Sequence, residues 1–472
     1  MKIIIIGAGP AGLTAGASLV EKGHQVIILE KDDNYVGGIS RTVKYKGFRF
    51  DIGGHRFFSK SAEITDWWHN RLPNDFIKVR RLSRIYYRGK FFDYPLKAFN
   101  ALFNLGIWTS FLCVLSYLKV KLRPIPEERS FQDWVSNRFG KKLFSIFFKT
   151  YTEKVWGRPC DQISADWAAQ RIKGLSLVSA VQHALFPQKT KKGEVVKTLI
   201  EEFQYPRLGP GMMWEKTRDD ILASERRVEM GTAVKKIEHD GMRVIAVETE
   251  DGRRWEGDSF IVSMPLQETV RALAPAVPPE ALAAASRLEY RDFLTVALMV
   301  RRENVFPDNW IYIHDPGVKL GRIQNFNNWS RALTPEAGVT CLGLEYFCFE
   351  GDEMWNASDE MLIDLGKREL RQLGLVSTAD EIFDGCVVRM PKAYPVYGPN
   401  YADDVALIQR ELEKLSNLQV IGRNGMHRYN NMDHSMMTAL LAARNVEGAR
   451  FDLWQVNTDA EYHEEKQIRT HK

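Results

Sequence analysis

The chain opens on an apolar strand that runs straight into a glycine turn, and this commits everything from Lys2 to Glu30 to one supersecondary unit. Lys2-Ile3-Ile4-Ile5-Ile6 has the continuous apolarity of a parallel strand covered on both faces. Gly7-Ala8-Gly9-Pro10-Ala11-Gly12 follows at once, then an Ala/Leu-rich helix that stops at Gly23, and a second strand from Val26 to Leu29 that ends on Glu30. Each position has a physical task in a βαβ dinucleotide site. Gly7 permits the tight turn, Gly9 lets backbone N–H groups approach a pyrophosphate at the helix N-terminus, and Gly12 lets helix and strand close on each other. Glu30 stands where a carboxylate can accept the ribose hydroxyls. The predicted fold class is α/β, with a Rossmann-type dinucleotide domain.

A second set of glycines narrows the ligand. Gly37-Gly38-Ile39-Ser40-Arg41 follows the acid, and then Phe50-Asp51-Ile52-Gly53-Gly54-His55. Glycine is the residue that lets backbone lie against a flat ring and its pyrophosphate without side-chain bulk. This extension resembles the flavoprotein superfamily of amine oxidases, protoporphyrinogen oxidases and UDP-galactopyranose mutases, and the resemblance implies FAD. No flavin-tethering pattern is present, so the expected FAD is non-covalent. Gly7, Gly9, Gly12, Glu30, Gly37, Gly38, Arg41, Gly54 and His55 are its candidate contacts, with Gly422, Asp433 and Ser435 from the C-terminal part.

Composition sets the remaining bounds. A chain of 472 residues exceeds one compact core, so several subdomains are expected. With 44% apolar and 26% charged residues it has a globular composition, and its net charge of +5 comes with no nucleic-acid-reading motif. Cys113, Cys160, Cys341, Cys348 and Cys386 are odd in number and lack CxxC or metal-ligand spacing, which favours free thiols in a reducing cytoplasm and no metal. The expected FAD domain is discontinuous: residues 1–74, 205–270 and 416–458. Between its parts lie a helical subdomain at 75–204 and a mainly antiparallel sheet at 271–415 that holds the substrate, and a charged tail occupies 459–472.

One stretch stands apart. Residues 98–118 carry no charge over 21 positions, enough to span a bilayer by length alone. Polar residues such as Asn100, Asn104 and Thr109 interrupt it, and parts of one FAD domain lie on both sides of it, which opposes a single crossing. The expectation is buried helices walling the substrate cleft. The alternative is a peripheral membrane contact through 98–123, with Lys119, Lys121 and Arg123 at the headgroups.

Four further segments bear on the chemistry. They are Tyr151-Thr152-Glu153-Lys154-Val155-Trp156-Gly157 with Ala165-Asp166-Trp167 leading to Gln170-Arg171; Asn309-Trp310-Ile311-Tyr312 with Gly321-Arg322 to Asn328-Trp329-Ser330; Ala393-Tyr394-Pro395; and Gly422-Arg423-Asn424-Gly425 with Tyr429-Asn430-Asn431-Met432-Asp433-His434-Ser435. With Gly53-Gly54-His55 they resemble UDP-galactopyranose mutases, most of all the eukaryotic-type branch, over most of the chain. The resemblance implies a reaction without net redox change. Flavin, kept reduced by NAD(P)H, attacks the anomeric carbon through N5 to give a glycosyl adduct and expel the nucleoside diphosphate; the sugar opens and recloses with another ring size. It places Arg171, Arg322, Tyr394 and Tyr429 on a diphosphate, His55 beside the flavin, Trp156 and Asn431 against the sugar, and Trp310 and Tyr312 along the pocket. Neither arginine lies in the glycine fingerprint, so their removal is expected to spare folding and flavin content. No uracil-reading segment is evident, which leaves the carrier open between UDP, another nucleotide and a lipid phosphate. The competing expectation is an FAD oxidoreductase or desaturase of the protoporphyrinogen oxidase kind, acting on a lipid.

Overall fold

The computed structural model describes residues 1–165, 196–199, 201–398, 400–457 and 465–468. Its centre is a five-stranded parallel sheet in the spatial order Arg227–Glu229, Gln25–Leu29, Lys2–Ile6, Ser259–Val262, Leu418–Val420. The first strand is apolar throughout because both faces are covered. Ile3 and Ile5 pack against the helices Pro10–Glu21, Gly211–Ala223 and Met432–Val446, while Ile4 and Ile6 face Ile237, Val244 and Val247 of a smaller sheet. The strands are drawn from segments hundreds of residues apart, as a discontinuous Rossmann-type domain requires.

A second, seven-stranded sheet runs Ile382–Val396, Glu289–Val300, Thr340–Cys348, Arg322–Asn325, Trp310–Ile313, Ser83–Tyr87, Lys90–Asp93. Its neighbours are antiparallel except Trp310–Ile313 beside Ser83–Tyr87, which are parallel. The expected helical subdomain therefore starts later than residue 75. Phe76–Arg80 pairs with Glu202–Pro206, and residues 83–93 complete the substrate sheet. The local cause is a two-residue hairpin turn at Arg88-Gly89, both with positive φ (48° and 77°), flanked by β-branched and aromatic residues.

Helices occupy Ala98–Leu105, Ile107–Leu122, Phe131–Phe139 and the stretch from Lys141 to Trp156, which carries a π-helical turn at Ser145–Lys149. Gly106 (φ 79°) breaks the first two, which meet at 118°. Among the described residues no single helix is long and apolar enough to cross a membrane. The expectation that this stretch forms core is overturned: Phe103, Ile107 and Trp108 are 79%, 82% and 77% exposed. The buried side of Ile107–Leu122 is instead the stripe Ser110, Cys113, Tyr117 and Val120.

Candidate active site

The glycine fingerprint forms a cradle shaped for a ligand. A Cβ on Gly12 would run into the Gly7 carbonyl oxygen, so strand and helix close only without one. A Cβ on Gly9 meets no protein atom within 4 Å, which leaves open space before the helix N-terminus. Gly37 N–H donates to the Ala8 carbonyl at 2.8 Å, and Gly38 lies against Gly9, bringing the second glycine pair to the same loop. Glu30 accepts Ala8 N–H at 2.6 Å and Asp32 N–H at 2.9 Å; burial raises its pKa above the usual carboxylate value. Arg41 pairs with Asp32, and Gly422 approaches Ala11 of the first helix. These residues fit a dinucleotide: a helix N-terminus faces an open space and a carboxylate stands at the end of the second strand.

The reactive side is built on one face of the seven-stranded sheet. Strand register aligns Tyr312 with Arg322, Arg322 with Glu345, and Glu345 with Thr295 across four adjacent strands. Ile311, Ile323 and Leu344, the alternate residues, point into the opposite apolar core. Arg322 Nε donates to Glu345, whose other oxygen accepts Gln324 Nε2 at 2.7 Å. The Arg322 side chain is 19% exposed and Glu345 is fully buried. Among the described residues Nε is the one Arg322 nitrogen with a protein partner, so its terminal nitrogens remain for a ligand. The Gly53-Gly54 turn rests on this row: a Cβ at Gly53 would lie 3.7 Å from Arg322 Nη2, and one at Gly54 would lie 3.1 Å from Gln324 Nε2.

Tyrosines lie close enough to the arginine to act on its charge: Tyr151, Tyr394 and Tyr312. Tyr151 meets Tyr312 edge-on at 5.4 Å, and Tyr394 stacks on Tyr429 at 5.5 Å with planes 11° apart. Arg423 lies over both rings of that stack, at 5.6 Å and 4.9 Å, and is tied to the carbonyls of Asn430 and Ala393. A β-bulge aims Tyr394 here. The register slips between Arg291 and Phe293, Lys392 takes a positive φ, and Asp292 accepts the Lys392 N–H at 2.6 Å. Burial, then the neighbouring Tyr429, pushes the Tyr394 hydroxyl up to about 12, and burial holds Tyr151 well above its ordinary value. Both stay protonated donors. His55 accepts the opposite fate: burial, with the Arg423 and Arg322 cations adding to it, lowers the imidazole to about 4, so the ring is neutral and Nε2 donates to the Ile52 carbonyl at 2.9 Å.

The other expected site residues have the following protein partners. Asn431 is the N-cap of Met432–Val446, in a reciprocal capping box with His434. Asp433 accepts the Ser59 hydroxyl at 2.9 Å, and buried Ser435 donates its N–H to the Asn431 carbonyl. Trp310 is 3% exposed, beneath the guanidinium groups of Arg56 and Arg81 at 4.9 Å and 5.6 Å. Trp156 is buried in the aromatic cluster that also holds Tyr312, Tyr394 and Tyr429. Arg171 lies outside the described residues. Sequence reasoning gave no role to Glu345, Tyr151 or Arg423. A lone acid in a strand buried at every position, as Glu345 is in Thr340–Cys348, was the available signal.

Residues 10–447 match the model of the flavin containing amine oxidoreductases. The chain belongs to that family. FAD is therefore its cofactor, and the open space at Gly9 is where the family's dinucleotide fits. Among curated members, coproporphyrinogen III oxidase of Mycobacterium leprae (strain TN) is 31% identical over 163 residues, 34% of this chain and 35% of its own length. 4,4'-Diapophytoene desaturase of Staphylococcus aureus (strain COL) is 51% identical over 218 residues, 45% of this chain and 40% of its own length. The chain thus spans well under two thirds of the length of either relative. Among solved structures, reduced UDP-galactopyranose mutase superposes with a TM-score of 0.82 at 23% identity, covering 97% of both chains. A protoporphyrinogen oxidase homologue from Exiguobacterium sp. 255-15 gives 0.70 at 16% identity, over 95% of this chain and 99% of the other. These likenesses establish the flavoenzyme fold.

Proposed function

We propose that this flavoprotein is a mutase that interconverts pyranose and furanose forms of a sugar carried on a diphosphate. The observation that carries this reading is the partly exposed Arg322, anchored through Nε to buried Glu345, with Tyr151, Tyr312 and Tyr394 close enough to act on its charge and Tyr429 stacked on Tyr394. A diphosphate gains charge as its bond to the anomeric carbon breaks. A permanent cation whose two terminal nitrogens bond no described residue, flanked by neutral phenol donors, stabilises that change more than the ground state. Arg423 adds a second positive charge beside the tyrosine stack. Bound FAD supplies the reactive ring, and neutral His55 beside Arg322 and Arg423 holds the Gly53-Gly54 turn by its bond to Ile52. The likeness to UDP-galactopyranose mutase supports this reading.

A second reading, an FAD-dependent oxidoreductase or desaturase on a lipid, is favoured by the curated relatives and by the exposed apolar helices at 98–122. Ligand titration separates the two. Holoprotein is expected to bind UDP roughly 10- to 100-fold more tightly than uridine, the gain expected of charge-assisted hydrogen bonds. Tyr394→Phe should weaken UDP binding about five-fold, the contribution of one hydroxyl donor. Binding should be flat between about pH 7 and 9, because the Tyr394 hydroxyl titrates near 12 and His55 near 4. Equal affinity for UDP and uridine would count against the diphosphate clamp and for the lipid reading.

A further inference from the structure

The helix pair Ala98–Leu105 and Ile107–Leu122 is built inside out for a protein surrounded by water. A surface helix normally turns its large apolar residues inward. Here the inward stripe of Ile107–Leu122 contains Ser110, Cys113 and Tyr117, while Trp108, Phe111, Leu115, Leu118 and Leu122 face outward. Gly106, with φ 79°, folds the pair through 118°, so Phe103, Ile107 and Trp108 sit at the bend. Contiguous exposed apolar surface of this kind marks a site of association.

Within residues 98–126 the charges are of one sign, although Asp93 pairs with Lys97 at the start of the first helix. No Asp or Glu occurs from residue 98 to 126, and Lys119, Lys121 and Arg123 close the second helix on exposed positions. Beside the pair lies a groove of about 440 Å³ whose lining includes Arg88, Lys90 and Lys142 together with Asn104, Leu105 and Thr109 of the helices. Among the described residues its lining contains three cations and no acid. Thr150, which precedes Tyr151 of the arginine cluster, contributes to the same groove.

We propose that this surface docks on an anionic phospholipid leaflet, with the bend at Gly106 inserted into the acyl region and the flanking cations and basic groove holding headgroup phosphates. Apolar area next to a cationic rim is the pairing that interfacial anchors use. A second copy of the chain would meet the same positive rim with its own, so like charges oppose self-association there. The docking stands apart from which chemistry the flavin site performs.

Co-sedimentation of the holoprotein with vesicles tests it. Vesicles of equal parts phosphatidylglycerol and phosphatidylcholine should pellet the protein, pure phosphatidylcholine vesicles should pellet much less, and 1 M salt, where the screening length falls to about 3 Å, should release most of it. The double variant Trp108→Glu, Phe111→Glu should remain yellow and folded, since both side chains are exposed, and should stay in the supernatant. Replacing Lys119, Lys121 and Arg123 together by alanine leaves the apolar face intact and should weaken binding on the order of 100-fold. Wild type that stays in solution with anionic vesicles, or binding that both variants retain, would overturn the proposal. A wild-type dimer that Trp108→Glu, Phe111→Glu splits into monomers, without vesicle binding, would assign the face to a second copy instead.

Discussion

Arg322→Ala is expected to cost the protein stability as well as activity. Glu345 lies fully buried beneath the guanidinium, and removing one partner of a buried ion pair leaves an uncompensated charge that costs about 3–5 kcal/mol. This expected result differs from the one drawn from the sequence, where a residue outside the glycine fingerprint is expected to be removable without harm to folding. The variant Arg322→Gln, Glu345→Gln removes both charges and keeps hydrogen-bonding groups on the sheet row with Gln324. It should recover flavin content and melting temperature. Its kcat/KM should still fall roughly 30- to 1000-fold, equivalent to 2–4 kcal/mol of lost transition-state stabilisation at a developing anion. Thermal melts followed by flavin fluorescence, with steady-state rates on the same samples, measure both effects. An Arg322→Ala protein as stable as wild type would disprove the structural part, and a charge-neutral pair with wild-type rates would disprove the catalytic part.

Gly12 and Gly9 should fail in different ways. At Gly12 any Cβ meets the Gly7 carbonyl oxygen, and Gly7 is itself held at φ 99°. Gly12→Ala must therefore push the first helix off its strand and is expected to give insoluble or misfolded protein. Gly9 has ordinary backbone angles, φ −76° and ψ −177°, and no protein atom near its missing side chain. Gly9→Val should fold and lose its FAD, because only the bound pyrophosphate competes for that space. Circular dichroism and absorbance near the flavin maximum distinguish the two: a native fold without colour for Gly9→Val, loss of soluble protein for Gly12→Ala. A Gly9→Val protein that retains one FAD per chain would contradict the placement of the dinucleotide.

What could be read directly from residues was what local pattern alone determines. The run Ile3–Ile6, the glycines and Glu30 specify strand, turn, helix and acid within thirty positions, and the parallel sheet contains them where expected. Residues placed by pairing across distant strands were harder to see. Arg322 stood out as a cation in an unusual segment, but its counter-ion Glu345 meets it only through strand register. Tyr394 depends on a bulge whose brace, Asp292, is a hundred residues away in sequence. Asn431, which the resemblance places against the sugar, caps a helix, a role that asparagine fills on local geometry alone. The uncharged stretch at 98–118 carried its signal in composition, whereas the side that faces outward emerged only with the packing of Ser110, Cys113 and Tyr117.

Product analysis tests the proposed chemistry most directly. Holoprotein reduced with dithionite under anaerobic conditions should be incubated with UDP-galactopyranose and other pyranose sugar nucleotides, and the products separated and weighed by mass spectrometry. The proposed mutase yields a new compound of unchanged mass over many turnovers, with no further reductant consumed and no peroxide formed. A product lighter by two hydrogens, or NAD(P)H consumed or peroxide formed in step with turnover, would contradict it and establish net redox chemistry at this site.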